Sequence, residues 1–216
     1  MTPHNGTTQG GVYPPHSNKK SRKRYGGPIT AQNLEQNKFQ ISAKHKRALK
    51  FVLMIGVVSF FADFTYEGAR SIAGPFLLML GASGAVVSIA AGFGELLGYS
   101  LRFFSGHLSE RTGEFWPITI IGYMVQMSAV PLLAFAGNWQ IAVGLILQER
   151  VGKAIRNPPR DVMLSHAAKE MGMGWGFGVH EALDQFGALF GPLLVALILA
   201  RRGDYRLAFG TLLAPL

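Results

Sequence analysis

Asp63, Glu67 and Arg70 recur at i, i+4 and i+7 inside a stretch that is otherwise almost wholly apolar. On a helix that spacing puts two carboxylates and a guanidinium on one stripe. Glu95, Tyr99 and Arg102 repeat the pattern, and Glu149–Arg150 and His180–Glu181–Asp184 supply two more groups. Such side chains can pair as ions, pass protons, or line a polar path for a solute. The sequence contains no Cys, which excludes cysteine nucleophiles, thiolate metal sites and disulfides within it. No His/Glu repeat shares the face of His180, so no metal and no cofactor are expected.

These groups sit in long apolar runs. Of 216 residues 49% are hydrophobic and 15% charged, against roughly 25% charged in soluble domains. The formal net charge of +9 suggests nucleic acid at first sight, but its distribution argues otherwise. Residues 1–48 hold nine of the 21 Lys and Arg and a single acid, Glu35, whereas from Lys50 onward twelve bases face eleven acids. The excess belongs to the N-terminal segment, and no nucleic-acid partner is expected. Residues 1–47 lack hydrophobic periodicity and read as a disordered basic tail whose KKSRKR cluster at 19–24 is either simply solvated or attracted to anionic lipid.

A spanning helix needs about 20 predominantly apolar residues. Residues 48–216 then read as a transmembrane bundle with helices at about 48–80, 84–104, 115–135, 139–160 and 174–200, and a partial sixth at 207–216. The breaks rest on GASG at 81–84 and AGNW at 136–139. Residues 71–94 carry no charge and would also make one span by themselves; the Asp63–Glu67–Arg70 stripe favours the two-helix division. Gly74-Pro75 and Gly191-Pro192 are expected kinks, and Pro158-Pro159 is expected to bend or stop helix 4. Basic residues of the tail, the 102–114 loop and the 150–169 segment fall on one side, which predicts a cytoplasmic N-terminus.

Burying an ionisable group in a bilayer costs roughly 2.5–3.5 kcal/mol on insertion scales, so these groups should face one another or a cavity. Two readings stand side by side: interhelical ion pairs that lock the bundle, or a pathway lined by Asp63, Glu67, Glu95, Arg150, His180, Glu181 and Asp184. Arg70 fits the first better, Asp63 the second. Asp63 follows about twelve apolar residues and Asp184 lies about ten residues into helix 5, so both sit near mid-bilayer at 1.5 Å per residue.

The motifs carry a resemblance. GHLSERTGE at 106–114 is similar to the loop between helices 2 and 3 of the major facilitator superfamily, through Gly106, Leu108, Arg111 and Gly113. Glu110 replaces the usual Asp, and Glu114 stands where a base is usual. Arg150 resembles the superfamily's membrane-embedded arginine, with Ala154 in place of a glycine. Gly187, Gly191 and Pro192 in GALFGP resemble the helix 5 signature of its antiporters, without the trailing glycine pair. FFADFTYEGAR, GKAIRNPPRD and GVHEALDQFGALFGP look like a bacterial subgroup.

The resemblance implies an all-α integral membrane fold, a six-helix N-terminal bundle with five full transmembrane helices and a partial sixth. It implies a transporter in a bacterial cell membrane rather than an enzyme, moving a small solute by alternating access with ion or proton coupling. Its partners would be the lipid bilayer, the solute, protons, and a C-terminal half or second chain, the present residues being an incomplete half. Gly106, Glu110, Arg111 and Gly113 would then act in the conformational switch, and helices 1 and 5 would border a central cavity. Two other classes remain beside it: a non-transporting membrane interaction protein, and a lipid-modifying enzyme, for which GKAIRNPPRD lacks an acidic metal cluster.

Overall fold

The computed structural model describes residues 31–212, with the side chains of 31–33 and 36–37 excepted. Among these residues six helices follow one another: α1 (Ala31–Met79), α2 (Gly84–Thr112), α3 (Phe115–Ala134), α4 (Trp139–Ala168), α5 (Met173–Arg202) and α6 (Tyr205–Thr211). The chain divides into two units, Met1–Lys38 and Phe39–Leu216, and the helical bundle belongs to the second.

Local chemistry sets the boundaries. The side chains of Ser83 and Asn138 accept from the Val86 and Ile141 amides and start α2 and α4. Gly113 (φ 73°) and Gly203 (φ 66°) end α2 and α5 in the left-handed conformation that a side chain disfavours. Asp204 caps α6 through the amides of Arg206 and Leu207.

Four helical segments, Lys38–Met79, Gly84–Thr112, Phe115–Ala134 and Met173–Arg202, are long and apolar enough to cross a membrane. Helix α4 has the length, 30 residues, but not the hydropathy. It packs along α2 and α3. The bundle has an apolar core built from Ile72, Phe76 and Leu77 of α1, Val130 and Leu133 of α3, Ala142 and Ile146 of α4, Val195 of α5 and Phe209 of α6. Phe76 and Phe209 meet edge to face at 4.9 Å.

Three expectations need correction. The segment read as a disordered tail to residue 47 is helical from Ala31 onward, where α1 begins. Residues 31–47 are rich in Gln, Lys and Ala, strong helix formers, but have no apolar face to announce the helix; residues 1–30 lie outside the described residues. The expected 102–114 loop is helical to Thr112, leaving Gly113 and Glu114 as the link. Finally, Pro158 and Pro159 do not stop α4, which continues to Ala168. Pro159 deprives the Ile155 carbonyl of its helical donor, and the Ser105 hydroxyl of α2 donates to that carbonyl at 2.6 Å. A neighbouring helix thus supplies the bond that the proline cannot.

Candidate functional site

Arg150, Lys153, Arg156 and Arg160 recur every three or four residues, so α4 presents them as one stripe. They are not loop charges: Arg156 is wholly buried, and Arg150 and Arg160 nearly so. Glycines bring the neighbouring helices close enough to enclose them. A Cβ at Gly122 of α3 would stand 2.6 Å from the Arg156 amide, and one at Gly152 of α4 would collide with the Gln126 backbone. At Gly94 of α2 a Cβ would lie 2.5 Å from Arg150 Cδ, so this glycine gives the arginine its passage across α2. Between α1 and α5, Cβ atoms at Gly187 and Gly191 would run into the carbonyls of Phe60 and Phe64. The helix 5 motif is therefore a backbone-to-backbone contact with α1.

A single chain of polar contacts crosses the bundle. Arg150 reaches Glu95 Oε1 at 2.6 Å, and Arg70 meets the same oxygen at 3.1 Å. Arg70 also faces Glu67 at 3.7 Å, and Glu67 faces Lys153 at 3.9 Å. Lys153 pairs with Asp63 at 3.3 Å and lies 3.8 Å above the Tyr66 ring, a cation–π contact. Asp63 accepts from Arg156 at 2.8 Å. Arg156 further donates to Gln126 Oε1 at 2.6 Å and to the Tyr123 hydroxyl at 3.2 Å. Tyr123 bonds Ser59, which in turn meets Arg160 and His180, each contact 3.2 Å long. Arg160 and His180 close the chain on Asp184 Oδ2, at 3.6 and 3.7 Å.

Of the residues expected to line a pathway, the structure brings Asp63, Glu67, Glu95, Arg150, His180 and Asp184 into this chain. It parts Glu181 from them: that residue is exposed on α5 and accepts from Gln185 at 2.7 Å. His180, Glu181 and Asp184 do offer ligand atoms within 4.8 Å of one another. An ion there would have to displace Arg160 from Asp184 and Gln185 from Glu181. Arg70, read as structural, holds Glu67 and Glu95 together.

Sequence reasoning missed Lys153, Arg156 and Arg160 as site residues, together with Ser59, Tyr123 and Gln126. The signal was available. The four bases of α4 share one helical face, and Gln126 is an isolated amide inside an apolar run. Glu110 and Arg111, expected to act in a switch, are exposed near the C-terminal end of α2, and Gly106 lies against Pro158, its Cβ position 3.5 Å from that ring.

Residues 30–216 match the profile of the Major Facilitator Superfamily. The chain belongs to this superfamily. Its membership makes it a multi-pass membrane protein of a transporter family, not an enzyme family. An uncharacterized protein of Mycobacterium tuberculosis is 52% identical over 169 residues, 78% of this chain and 41% of the relative. An uncharacterized MFS-type transporter of Methanocaldococcus jannaschii is 27% identical over 171 residues, 79% of this chain and 42% of its own length. Multidrug resistance protein MdtH of Proteus mirabilis is 27% identical over 65% of this chain and 34% of its own. The chain thus spans about two fifths, or less, of these three relatives.

Proposed function

We propose that this superfamily member forms the N-terminal part of a solute transporter that works by alternating access, and that the polar chain from Arg150 to Asp184 borders its central pathway. The observation that carries the reading is the continuity of that chain. Its links join α1, α2, α3, α4 and α5, and two of its oxygens are each shared by two cations, Glu95 Oε1 by Arg70 and Arg150 and Asp63 Oδ1 by Lys153 and Arg156. A carboxylate held by two cations can release one and keep the other as helices rock, a small rearrangement between two arrangements of ions. A second set of helices, on the same polypeptide or another chain, completes the central site. Coupling to protons runs through Asp63 and Asp184, the acids at mid-bilayer depth. Glu110 and Arg111 meet the cytoplasmic ends of neighbouring helices in one state of the cycle. The N-terminus is cytoplasmic, supported by Lys44, Lys46 and Arg47 ahead of the first apolar run.

A second reading holds for Arg156 alone. Its complete burial, with Asp63, Gln126 and Tyr123 all bonded to it, favours a lock between α1, α3 and α4.

The absence of Cys makes a substrate-free test direct. Glu67→Cys on the polar chain and Phe93→Cys on the exposed apolar face of α2 are labelled in sealed membranes with a water-soluble maleimide. The pathway reading expects labelling at position 67 and none at 93. Equal protection of both positions means a dry, purely structural seam and overturns it.

A further inference from the structure

A cavity of about 350 Å³ opens between α1, α2 and α4, within the size range of small-ligand sites. Its two ends differ in chemistry. Leu77, Val87, Ala90 and Ile146 make one end apolar. The other end carries Tyr66, Arg70, Glu95, Glu149 and Arg150.

The charges at the polar end are unevenly used. Arg150 and Arg70 are both bound to Glu95, and Arg70 also to Glu67. Glu149 is different. It is 3% exposed, it makes no salt bridge among the described residues, and its Oε1 has no hydrogen-bond partner. A buried acceptor left without a donor is costly, and beside an open cavity a bound donor group can remove that cost. The polar chain that crosses the bundle reaches Arg150, the next residue, and does not include Glu149.

We propose that this cavity binds an amphipathic organic cation, with its ammonium donating to the free oxygen of Glu149 and its apolar body lying against Leu77, Val87, Ala90 and Ile146. Two features select a cation over an anion. The two guanidinium groups that an anion would need already pair with Glu95 and Glu67, whereas among the lining residues the one buried polar atom without a partner is an acceptor. An ammonium brings N–H donors and positive charge together, so it satisfies that atom with a charge-assisted bond. A neutral alcohol of the same shape would supply a weaker donor, and a carboxylate would face Glu95 and Glu149 with nothing to offer either. The inference rests on the transporter reading only in calling the ligand a solute to be moved; the binding site itself stands on the cavity.

The test measures binding of protonated 2-phenylethylamine to the full chain in lipid nanodiscs by isothermal titration calorimetry. The neutral 2-phenylethanol and the anion 3-phenylpropionate serve as matched probes. The amine should bind at least tenfold more tightly than either. Glu149→Gln, close to the parent in size, should weaken the amine at least tenfold and leave the alcohol unchanged. Ala90→Phe, which fills the apolar end, should weaken all binding and guards against a folding artefact in the first variant. No amine binding by the parent, or equal amine affinity in Glu149→Gln, overturns the proposal. So does preferential binding of 3-phenylpropionate, which would instead assign the polar end to Arg70 and Arg150. None of these results touches maleimide labelling at position 67, so the pathway reading stands or falls separately.

Discussion

Removing Asp63 should unfold this bundle more readily than removing any surface acid, and the size of the effect follows from what Asp63 leaves behind. Its Oδ1 is shared by Arg156 at 2.8 Å and Lys153 at 3.3 Å. The Arg156 side chain is 0% exposed and that of Lys153 is 16% exposed. Breaking a buried pair by deleting one partner costs roughly 3–5 kcal/mol, because the other charge stays buried. Arg156 keeps its bonds to Gln126 and Tyr123, and Lys153 keeps Glu67 and the Tyr66 ring, which places Asp63→Ala near the lower end, about 3 kcal/mol. That is about two orders of magnitude in the folding equilibrium. Asp161 sets the contrast: its own carboxylate is 50% exposed and Arg160 keeps Ser59 and Asp184 without it, so its removal should cost less, about 1 kcal/mol. The assay is equilibrium unfolding in mixed micelles with increasing SDS, followed by the fluorescence of Trp116, Trp139 and Trp175. The double variant Asp63→Ala/Arg156→Met should recover most of the loss, since the orphaned charge is gone and an apolar chain of similar length fills its place. If Asp63→Ala unfolds within about 1 kcal/mol of the parent, or if the double variant is no better than the single, the buried-pair argument is wrong.

Two further predictions test the close contacts. Gly191→Ala should cost roughly 1–3 kcal/mol in the same unfolding assay, because the added Cβ meets the Phe64 carbonyl and stands 3.0 Å from the Gly68 amide, rigid backbone on both sides. Gly178→Ala on the same helix, with nothing within 4 Å, should be neutral or gain up to about 1 kcal/mol, and a similar loss at both sites would refute the contact explanation. Ser105→Ala should cost about 1–3 kcal/mol by orphaning the Ile155 carbonyl. In a Pro159→Ala background the restored helical amide should satisfy that carbonyl, so an undiminished cost of Ser105→Ala there would disprove the role given to the serine.

Much of this protein is written locally and could be read without tertiary structure. Long apolar runs identify spanning helices because a bilayer offers the backbone no other partners. The helix boundaries at Gly84, Phe115 and Trp139 follow from turn and capping residues within a few positions of them: Ser83, Gly113, Asn138. That Asp63, Glu67 and Glu95 each meet a cation was legible because an ionisable group in lipid must find a partner. What the sequence left open were the partners themselves. Asp63 and Arg156 lie 93 residues apart, Arg160 and Ser59 101 apart, and no periodicity within one helix encodes such a pairing. Helix α4 shows the limit most clearly. Read alone, three bases, two prolines and a fourth base mark a helix end at the membrane surface. In the bundle, Gly122 and Gly152 bring α3 close enough to bury Arg156, and Ser105 of α2 satisfies the carbonyl that Pro159 abandons, so the helix continues and its charges turn inward. Hydropathy and capping act between neighbours in the chain and survive in the sequence. Ion pairing and backbone contact act between helices, and only their packing determines which charges meet.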